Sequence, residues 1–416
     1  MSGPRLAVIG AGAAGLSAAI WAARSGLSGE SIVLLDSRQR IGAKILISGG
    51  TRCNVTNRSV RPSDYSGGPR HFVKHVLEAF PPARTRAFFA EIGVELVLEP
   101  TGKYFPTTHK AATVLEALRR EVDRLGIRLE TGRRILTARR LGEAWVLEDA
   151  GGAHLRAERI VLCTGGLSLP ETGSDGTGLR IARDLGHTLI ATTPALTPLT
   201  TQDACWKTLA GLTLEAALSL YLRGRKAHEV SGSMLFTHEG FSGPAPMDLS
   251  RHYLRAAGDQ AAEVRARFLP GLDESVLIEG LRAGRDHEGL RTVRHFLTER
   301  FGLALQLSEL LCRRAGLERD ERLKDLTTDH RKALVRQILD CPLGVDGTLG
   351  YRKAEVTAGG VDLAEVRAST LESRIAAGLH FAGEVLDVDG RIGGFNFQWA
   401  WSSGHVAGRA CAEALS

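Results

Sequence analysis

The alternation of apolar and polar positions is sharpest at the two ends of the chain. Near the start, Leu6 to Ile9 form an apolar run of strand length, followed at once by glycines at positions 10, 12 and 15. Leu16, Ala19, Ile20 and Ala23 then recur at helical spacing, Gly26 reads as the stop, and Ile32 to Leu35 form a second apolar run. The pattern predicts strand, helix and strand, with Asp36 closing the second strand. Near the other end, Leu379 to Glu384 is a short apolar strand ending in Gly-Glu, and from Asn396 the chain reads as an amphipathic helix with Trp399, Trp401, Val406 and Ala410 among its apolar positions.

Between these ends the pattern changes several times. Residues 37–57 are too glycine-rich and polar for a simple helix and read as a loop. His71 to Phe80 and Ala83 to Ile92 predict two short helices parted by Pro81-Pro82, and Gly102 to Pro106 predicts a turn. Thr107 or Thr108 is placed to cap a helix whose face is Val114, Leu115, Leu118, Val122 and Leu125, ended by Gly126. From Ile127 the period moves towards two. The runs 127–130, 134–137, 144–147 and 154–156 predict a small antiparallel meander with a turn at Gly151-Gly152. Ile160 to Cys163 is again wholly apolar and predicts a return to the parallel sheet, ending in Thr164-Gly165. From about Thr193 to Thr348, proline-marked strand-like runs (214–222, 234–236) give way to helical stretches (275–281, 290–301, 330–339), which predicts an inserted region, part β and part helical.

Chemistry enters first at the glycines. Their spacing, between an apolar strand and a helix, is that of a dinucleotide-binding turn: Gly10 permits the turn, Gly12 leaves room for a pyrophosphate, and Gly15 allows close helix packing. A phosphate then meets the free amides of the helix N-terminus. Asp36 stands where a carboxylate accepts hydrogen bonds from an adenosine ribose. In the following loop, Ser48, Gly49, Gly50, Cys53 and Asn54 offer open backbone amides, and Lys44 and Arg52 add positive charge suited to a pyrophosphate or an aromatic cofactor ring. Gly393-Gly394 opens the last helix, whose positive end suits negative charge developing on a reduced isoalloxazine, and Glu384 is placed to receive a ribityl hydroxyl.

Composition narrows the class. The 416 residues exceed one average domain, and 43% hydrophobic with 24% charged content excludes disordered and fibrous chains. The net charge of +6 is spread among interleaved acids, with no basic tract carrying stacking aromatics, so the expectation is no nucleic-acid site. Six cysteines are scattered without a CxxC pair, which predicts reduced thiols in a cytoplasmic protein and no metal. No apolar stretch approaches the ~20 residues of a membrane span, and no signal-peptide pattern precedes Leu6.

The N-terminal Gly-Ala-Gly-Ala-Ala-Gly, the loop Ile47 to Asn57, Thr237 to Pro244, Val356 to Val361 and the long stretch Ala382 to Gly404 together resemble the bacterial BaiN/YhiN-like family of NAD(P)/FAD-dependent oxidoreductases. The likeness covers nearly the whole chain, and the last motif is the most specific. It implies an α/β fold: a Rossmann-like FAD-binding domain, parallel sheet plus small meander, interrupted by a β-barrel-like domain and a small helical domain. On this basis the FAD-binding domain spans 1–192 and 349–416, the barrel-like part 193–270 and about 320–348, and the helical part 271–319. The resemblance further implies FAD along Gly10, Gly12, Ala13, Ala14 and Gly15, then Asp36, Ser37 and Arg38, then the Lys44 to Asn54 loop. It continues at Thr164, Gly165, Gly383, Glu384, Gly393, Gly394, Phe395, Asn396 and Gln398, with the backbone of Ile135 meeting adenine.

Flavin chemistry is carried largely by the cofactor, so the expected reaction is hydride transfer through flavin N5 on a small-molecule substrate entering between the FAD domain and the insertion. Candidate polar groups there are His109, Lys110, His238, Glu239, Asn396 and Gln398, with His238 as a proton donor. Cys53 has no second cysteine near it in sequence and reads as a structural thiol behind the cofactor. One full glycine fingerprint leaves no second domain for nicotinamide. Three readings therefore stay open: an NADH- or NADPH-dependent reductase, an oxidase of a small amine or hydroxy compound using oxygen, and a non-catalytic FAD-holding or nucleic-acid-associated protein.

Overall fold

Five short runs scattered over most of the chain, four largely apolar and a polar one at the edge, become one parallel sheet. In the computed structural model, which describes residues 3–256 and 262–416, we number these strands along the chain: β1 Leu6–Ile9, β2 Ile32–Leu35, β3 Arg128–Glu130, β4 Arg159–Leu162 and β5 Leu379–Phe381. Their order is β5-β4-β1-β2-β3, and β1 is central, pairing in parallel with both β2 and β4. A central parallel strand is covered on both faces, which is why its sequence is apolar throughout rather than alternating. The helix Ala13–Arg24 follows β1, and the C-terminal helix Phe395–Leu415 lies against it.

The approach of those two helices rests on glycine. A Cβ added at Gly404 would stand 2.5 Å from the carbonyl oxygen of Ala14, and one at Gly408 2.2 Å from that of Ala18. Ser17 Oγ donates to the Trp401 carbonyl at 2.9 Å across the same contact. Residues four apart share one helix face, so Gly404 and Gly408 form a groove that admits the neighbouring backbone. This contact carries the start of the last helix to the side of the molecule where β1 ends.

Several sequence expectations change. The stretch 37–57 is not all loop, for Ala43–Thr51 is helical up to Ile47 before a kink at Ser48 to Gly50. Gly102 to Pro106 is not a turn. Lys103–Pro106 is a strand in a three-stranded antiparallel sheet, paired with Leu96–Leu98 in a hairpin and with the distant Thr56–Asn57, a pairing that local reading does not see. The helix after it begins at Ala111 with Lys110 at its N-cap and no side-chain cap bond, because Thr108 Oγ1 bonds Thr113 Oγ1 instead. Residues 128–130 leave the meander to pair with β2 at the sheet edge, and the meander itself is Ile135–Leu141, Ala144–Asp149 and His154–Ala157. The C-terminal helix is not amphipathic over its first turns: from Phe395 to Leu415 most residues are buried, Ser402, Ser403 and His405 included.

The chain divides into two compact units, Met1–Ala195 with Tyr351–Ser416, and Leu196–Gly350. In the second, seven strands pair in the order Cys341–Pro342, Ala262–Arg267, Thr213–Leu222, Arg225–Phe236, Gly240–Ser242, Leu199–Thr201 and Val345–Thr348. The two outermost strands are joined by only Leu343-Gly344. A link that short spans roughly 10 Å, so the sheet edges are drawn together and the sheet is barrel-like. The helices Glu274–Glu288, Val293–Phe301, Leu305–Arg314 and Thr328–Leu339 share one core with this sheet, through Trp206, Phe236, Phe268, Leu277, Leu311 and Ile338. Barrel and helices thus belong to one unit, where the resemblance implies separate domains. Charge is unevenly divided: Leu196–Gly350 holds 21 basic against 21 acidic residues, so the net +6 lies in the first unit.

Candidate functional site

The turn after β1 is built by three glycines with different physical reasons. A Cβ at Gly10 (φ +103°) would meet the Cys163 carbonyl oxygen at 2.5 Å, and one at Gly15 the Gly10 carbonyl oxygen at 1.8 Å. Both are required by protein packing. A Cβ at Gly12 meets nothing within 4 Å, so the space over that residue is kept for something other than protein. Gly12 is also the N-cap of the helix that carries Ala13, Ala14 and Gly15, and no acid lies in its first turn. Free amides, a positive helix end and open space make a phosphate cradle.

Asp36 closes the neighbouring strand. Its Oδ2 accepts from Ala11 N and its Oδ1 from Arg38 N, both at 2.8 Å. Burial raises its pKa, and those two amides oppose the rise. Each carboxylate oxygen keeps a lone pair for a diol. Ser37 and Arg38 flank Gly173, and the amide of Arg133 donates to the Asp36 carbonyl at 2.8 Å, which brings the start of the meander and buried Ile135 to the same end. On the far side of β1, Thr164 lies against Gly10, and its buried Oγ1 has no hydrogen-bond partner. Gly165 follows with φ +72°.

The loop from Lys44 is a conformational rarity. Gly49, Gly50 and Thr51 are consecutive left-handed residues (φ +56°, +66° and +68°), and Cys53 is left-handed as well at +61°. A β-branched residue in that region costs of order 1–3 kcal/mol, and such strain concentrates at ligand sites. The loop is held by Cys53 N to Ser48 O at 3.0 Å and Ser48 Oγ to Ile45 O at 2.8 Å. Cys53 is buried, and desolvation pushes its thiol up to about 12, which disfavours the nucleophilic thiolate. Asn54 is buried too, and its Oδ1 has no partner.

Lys44 reaches a network that local reading missed. Its Nζ donates to Ser168 Oγ and to Glu384 Oε2, both at 2.7 Å. Glu384 Oε1 accepts from Ser168 Oγ at 2.7 Å and from Thr357 N at 2.8 Å, while Thr357 Oγ1 accepts from the amides of Leu167 and Ser168. Glu384 is therefore clamped at the end of β5 rather than free. Ser168 belongs to no motif and is signalled only by its closeness in sequence to Thr164-Gly165, whereas Thr357 is the second residue of the Val356 to Val361 stretch.

At the other end of the site, Gly393 and Gly394 (φ +127° and +90°) lead into the C-terminal helix, whose first amides have no intrahelical acceptor. Gly383 is likewise left-handed, packed on Ala14, and its carbonyl accepts from Trp399 Nε1. Tyr65 Oη donates to the Phe395 carbonyl at 2.8 Å. The sequence-proposed side chains here are otherwise engaged. Asn396 accepts from Gly390 N and donates to Gly390 O, both at 2.8 Å. Gln398 is fully buried: Oε1 accepts from Thr56 and Thr85, and Nε2 donates to Phe80 O and Ser402 Oγ. Both fasten the helix start through amide groups that bond the protein. Arg52 is paired with Glu99 at 2.6 Å and lies over the Phe105 ring. His109 and Lys110 are exposed, and His238 and Glu239 sit on an exposed turn in the Leu196–Gly350 unit. Among the described residues no group of three or more metal-ligating side chains occurs, and no helix is long and apolar enough to cross a membrane.

The residues present fit FAD. Gly10 to Gly15 and Asp36 would hold its AMP half, Lys44, Ser48 to Asn54, Glu384 and the first turn of the last helix its flavin half, and open space at Gly12 with unpartnered Thr164 Oγ1 and Asn54 Oδ1 marks where protein contacts are lacking. The family description "HI0933-like protein Rossmann domain" matches residues 4–410. The chain is 36% identical over 413 residues to a 3-dehydro-bile acid delta(4,6)-reductase of Clostridium scindens, covering 98% of this chain and 99% of the relative. It is 33% identical over 416 residues to a ribosomal RNA dihydrouridine synthase of Escherichia coli, covering 98% and 97%. In fold it is similar to a 3-ketosteroid delta1-dehydrogenase from Sterolibacterium denitrificans, with TM-score 0.53, 12% identity and 99% of each chain covered.

Proposed function

This chain belongs to the HI0933-like Rossmann family and is a flavoprotein oxidoreductase, and from that membership we propose that it reduces a carbon–carbon double bond conjugated to a carbonyl. The observation that carries the reading is the shared chemistry of two full-length relatives with different substrates. A delta(4,6)-reductase of a 3-dehydro steroid and a dihydrouridine synthase both saturate a C=C next to a carbonyl. In such a reduction a hydride equivalent adds at the far carbon of the conjugated C=C, a proton adds at the carbon nearer the carbonyl, and the electron pair of the C=C forms the bond to that proton. NADH or NADPH is the proposed donor, consumed one per double bond. Bound FAD supplies the two-electron carrier that links donor and substrate.

The protein's part is position and charge. The glycine turn and Asp36 anchor the nucleotide half, so that binding energy far from the reacting atoms fixes the ring. The Glu384-Lys44-Ser168 network ties β5, the strained loop and the segment after β4 into one wall, which limits the freedom of what binds there. Cys53 is buried, and its raised pKa disfavours a thiolate there.

A small enone is the first reading of the substrate. The second, a uracil ring in RNA, is favoured by the confinement of the net +6 to the unit that carries the site. The test is anaerobic: FAD-loaded protein is mixed with NADH or NADPH and bleaching of the flavin absorbance is followed, then a steroid dienone or a uridine-containing RNA is added. Reoxidation with a product two mass units heavier identifies the substrate. Reduction of neither C=C compound, with direct bleaching by an amine or hydroxy compound, would replace the proposal by an oxidase.

A further inference from the structure

Among the described residues, one cation beside the last helix has no acid paired with it. Lys103 opens the strand Lys103–Pro106 and is paired across the antiparallel sheet with Asn57, whose Nδ2 donates to the Gly393 carbonyl at 3.0 Å. Lys103 Cε lies 3.6 Å from the place a Cβ on Gly393 would take. The acid nearest in register, Glu99, holds Lys103 only through the backbone (Glu99 N to Lys103 O, 2.9 Å), because its carboxylate is bound to Arg52 at 2.6 Å. Lys103 makes no ion pair among the described residues and is half-buried.

A cation at a helix N-terminus is on the unfavourable side of the helix dipole. Lys103 and the first turn of Phe395–Leu415 are two positive poles side by side, an arrangement that becomes favourable when negative charge is placed between them. A separate observation points to the same spot. Asn54 is 7% exposed, its Oδ1 has no hydrogen-bond partner, and that atom lies 2.7 Å from the position of a Cβ on Gly394, the N-cap of the helix. The place thus asks for a group that both donates a hydrogen bond and carries negative charge.

We propose that Lys103, the first-turn amides of the C-terminal helix and Asn54 together form the seat of the flavin's pyrimidine edge, and that Lys103 is the side chain that sets how much negative charge the ring accepts. The assignment rests on the FAD reading. A pyrimidinedione edge offers the N–H that Asn54 lacks, and it is the part of the ring that becomes anionic on two-electron reduction. Lys103 is brought there by the sheet it shares with Asn57, and it takes no part in the Lys44–Glu384 pair.

The experiment uses sulfite, which adds to oxidised flavin and leaves the ring negatively charged, so its affinity reads stabilisation of charge without turnover. FAD-loaded wild type, Lys103→Met, Lys103→Gln and Lys103→Arg are titrated with sulfite by loss of flavin absorbance, and FAD retention is measured separately by filtration. The expected result is sulfite affinity at least tenfold weaker in Lys103→Met and Lys103→Gln, near wild type in Lys103→Arg, with FAD retained by all. Sulfite affinity within twofold of wild type in Lys103→Met and Lys103→Gln overturns the assignment while leaving the FAD reading intact. A wild-type protein that retains no FAD overturns the FAD reading itself.

Discussion

The glycine groove between the first and last helices offers a test in which the sign alone decides. In a solvent-exposed helix, Gly→Ala stabilises by about 1 kcal/mol, because alanine restricts the unfolded chain and favours the helix. At Gly404 and Gly408 the added Cβ would lie 2.5 and 2.2 Å from the backbone oxygens of Ala14 and Ala18, where real Cβ atoms essentially never come within 3.0 Å. The helices must part by at least ~0.5 Å at the first position and ~0.8 Å at the second, taking backbone with them. Overpacking of this kind costs about 1–3 kcal/mol. Against a gain of about 1 kcal/mol, Gly404→Ala is expected to be close to neutral or to lose about 1 kcal/mol, and Gly408→Ala to lose about 2 kcal/mol. Because the contact also places the helix start against the glycine turn, both variants should bind FAD more weakly, Gly408→Ala by more than Gly404→Ala. Urea unfolding gives the stability and fluorescence titration the affinity. If both substitutions raise stability by about 1 kcal/mol, as at an exposed site, the packing argument is wrong.

Three other outcomes follow from the same geometry. Gly12→Ala enters open space, so the apoprotein should keep its stability within about 0.5 kcal/mol while FAD affinity falls at least tenfold; equal loss of both would mean that Gly12 serves packing, as Gly10 and Gly15 do. Glu384→Gln keeps the shape of the Lys44-Ser168-Thr357 wall but removes its charge, and should weaken FAD binding while Asp36 and the AMP half are untouched; unchanged affinity for FAD in equilibrium dialysis would refute a role for the clamp. His405 is buried between the rings of Trp21 and Phe80, and desolvation lowers its pKa to about 4. The unfolded chain takes up that proton near pH 6.5 and the native one does not, so stability is full above about pH 6.5 and falls towards pH 4, by up to roughly 3 kcal/mol. Buried His380 is shifted in the same direction. Urea midpoints between pH 7.5 and 5 should fall, with a shallower slope in His405→Phe; a flat profile would show that these imidazoles protonate in the native state.

Legibility in the sequence tracked the range of the interaction. The turn at Gly10 to Gly15 was readable because strand, turn and helix are consecutive and each glycine answers a local demand. The strand Lys103–Pro106 was read as a turn because its partners lie at Thr56–Asn57 and Leu96–Leu98, and three or four residues carry too little periodicity to show them. Asn396 and Gln398, polar and next to two glycines, looked like ligand contacts. The fold uses both to satisfy buried backbone and hydroxyl groups, a demand invisible until Gly390, Phe80, Thr56 and Thr85 are seen around them. Ser168, Thr357 and Lys103 were missed for the converse reason, being ordinary residues made significant by their neighbours.

The sequence by itself determined that a dinucleotide turn opens the chain, that an acid follows its second strand, and that a glycine pair precedes a long terminal helix, because those features rest on backbone conformation within a few residues. Only the tertiary structure decided that this last helix lies in a glycine groove on the first, that Glu384 is clamped by Lys44 from 340 positions away, and that Lys103 faces the helix start unpaired. Such contacts depend on close approach between distant segments, and no local pattern encodes which groups will be left without partners.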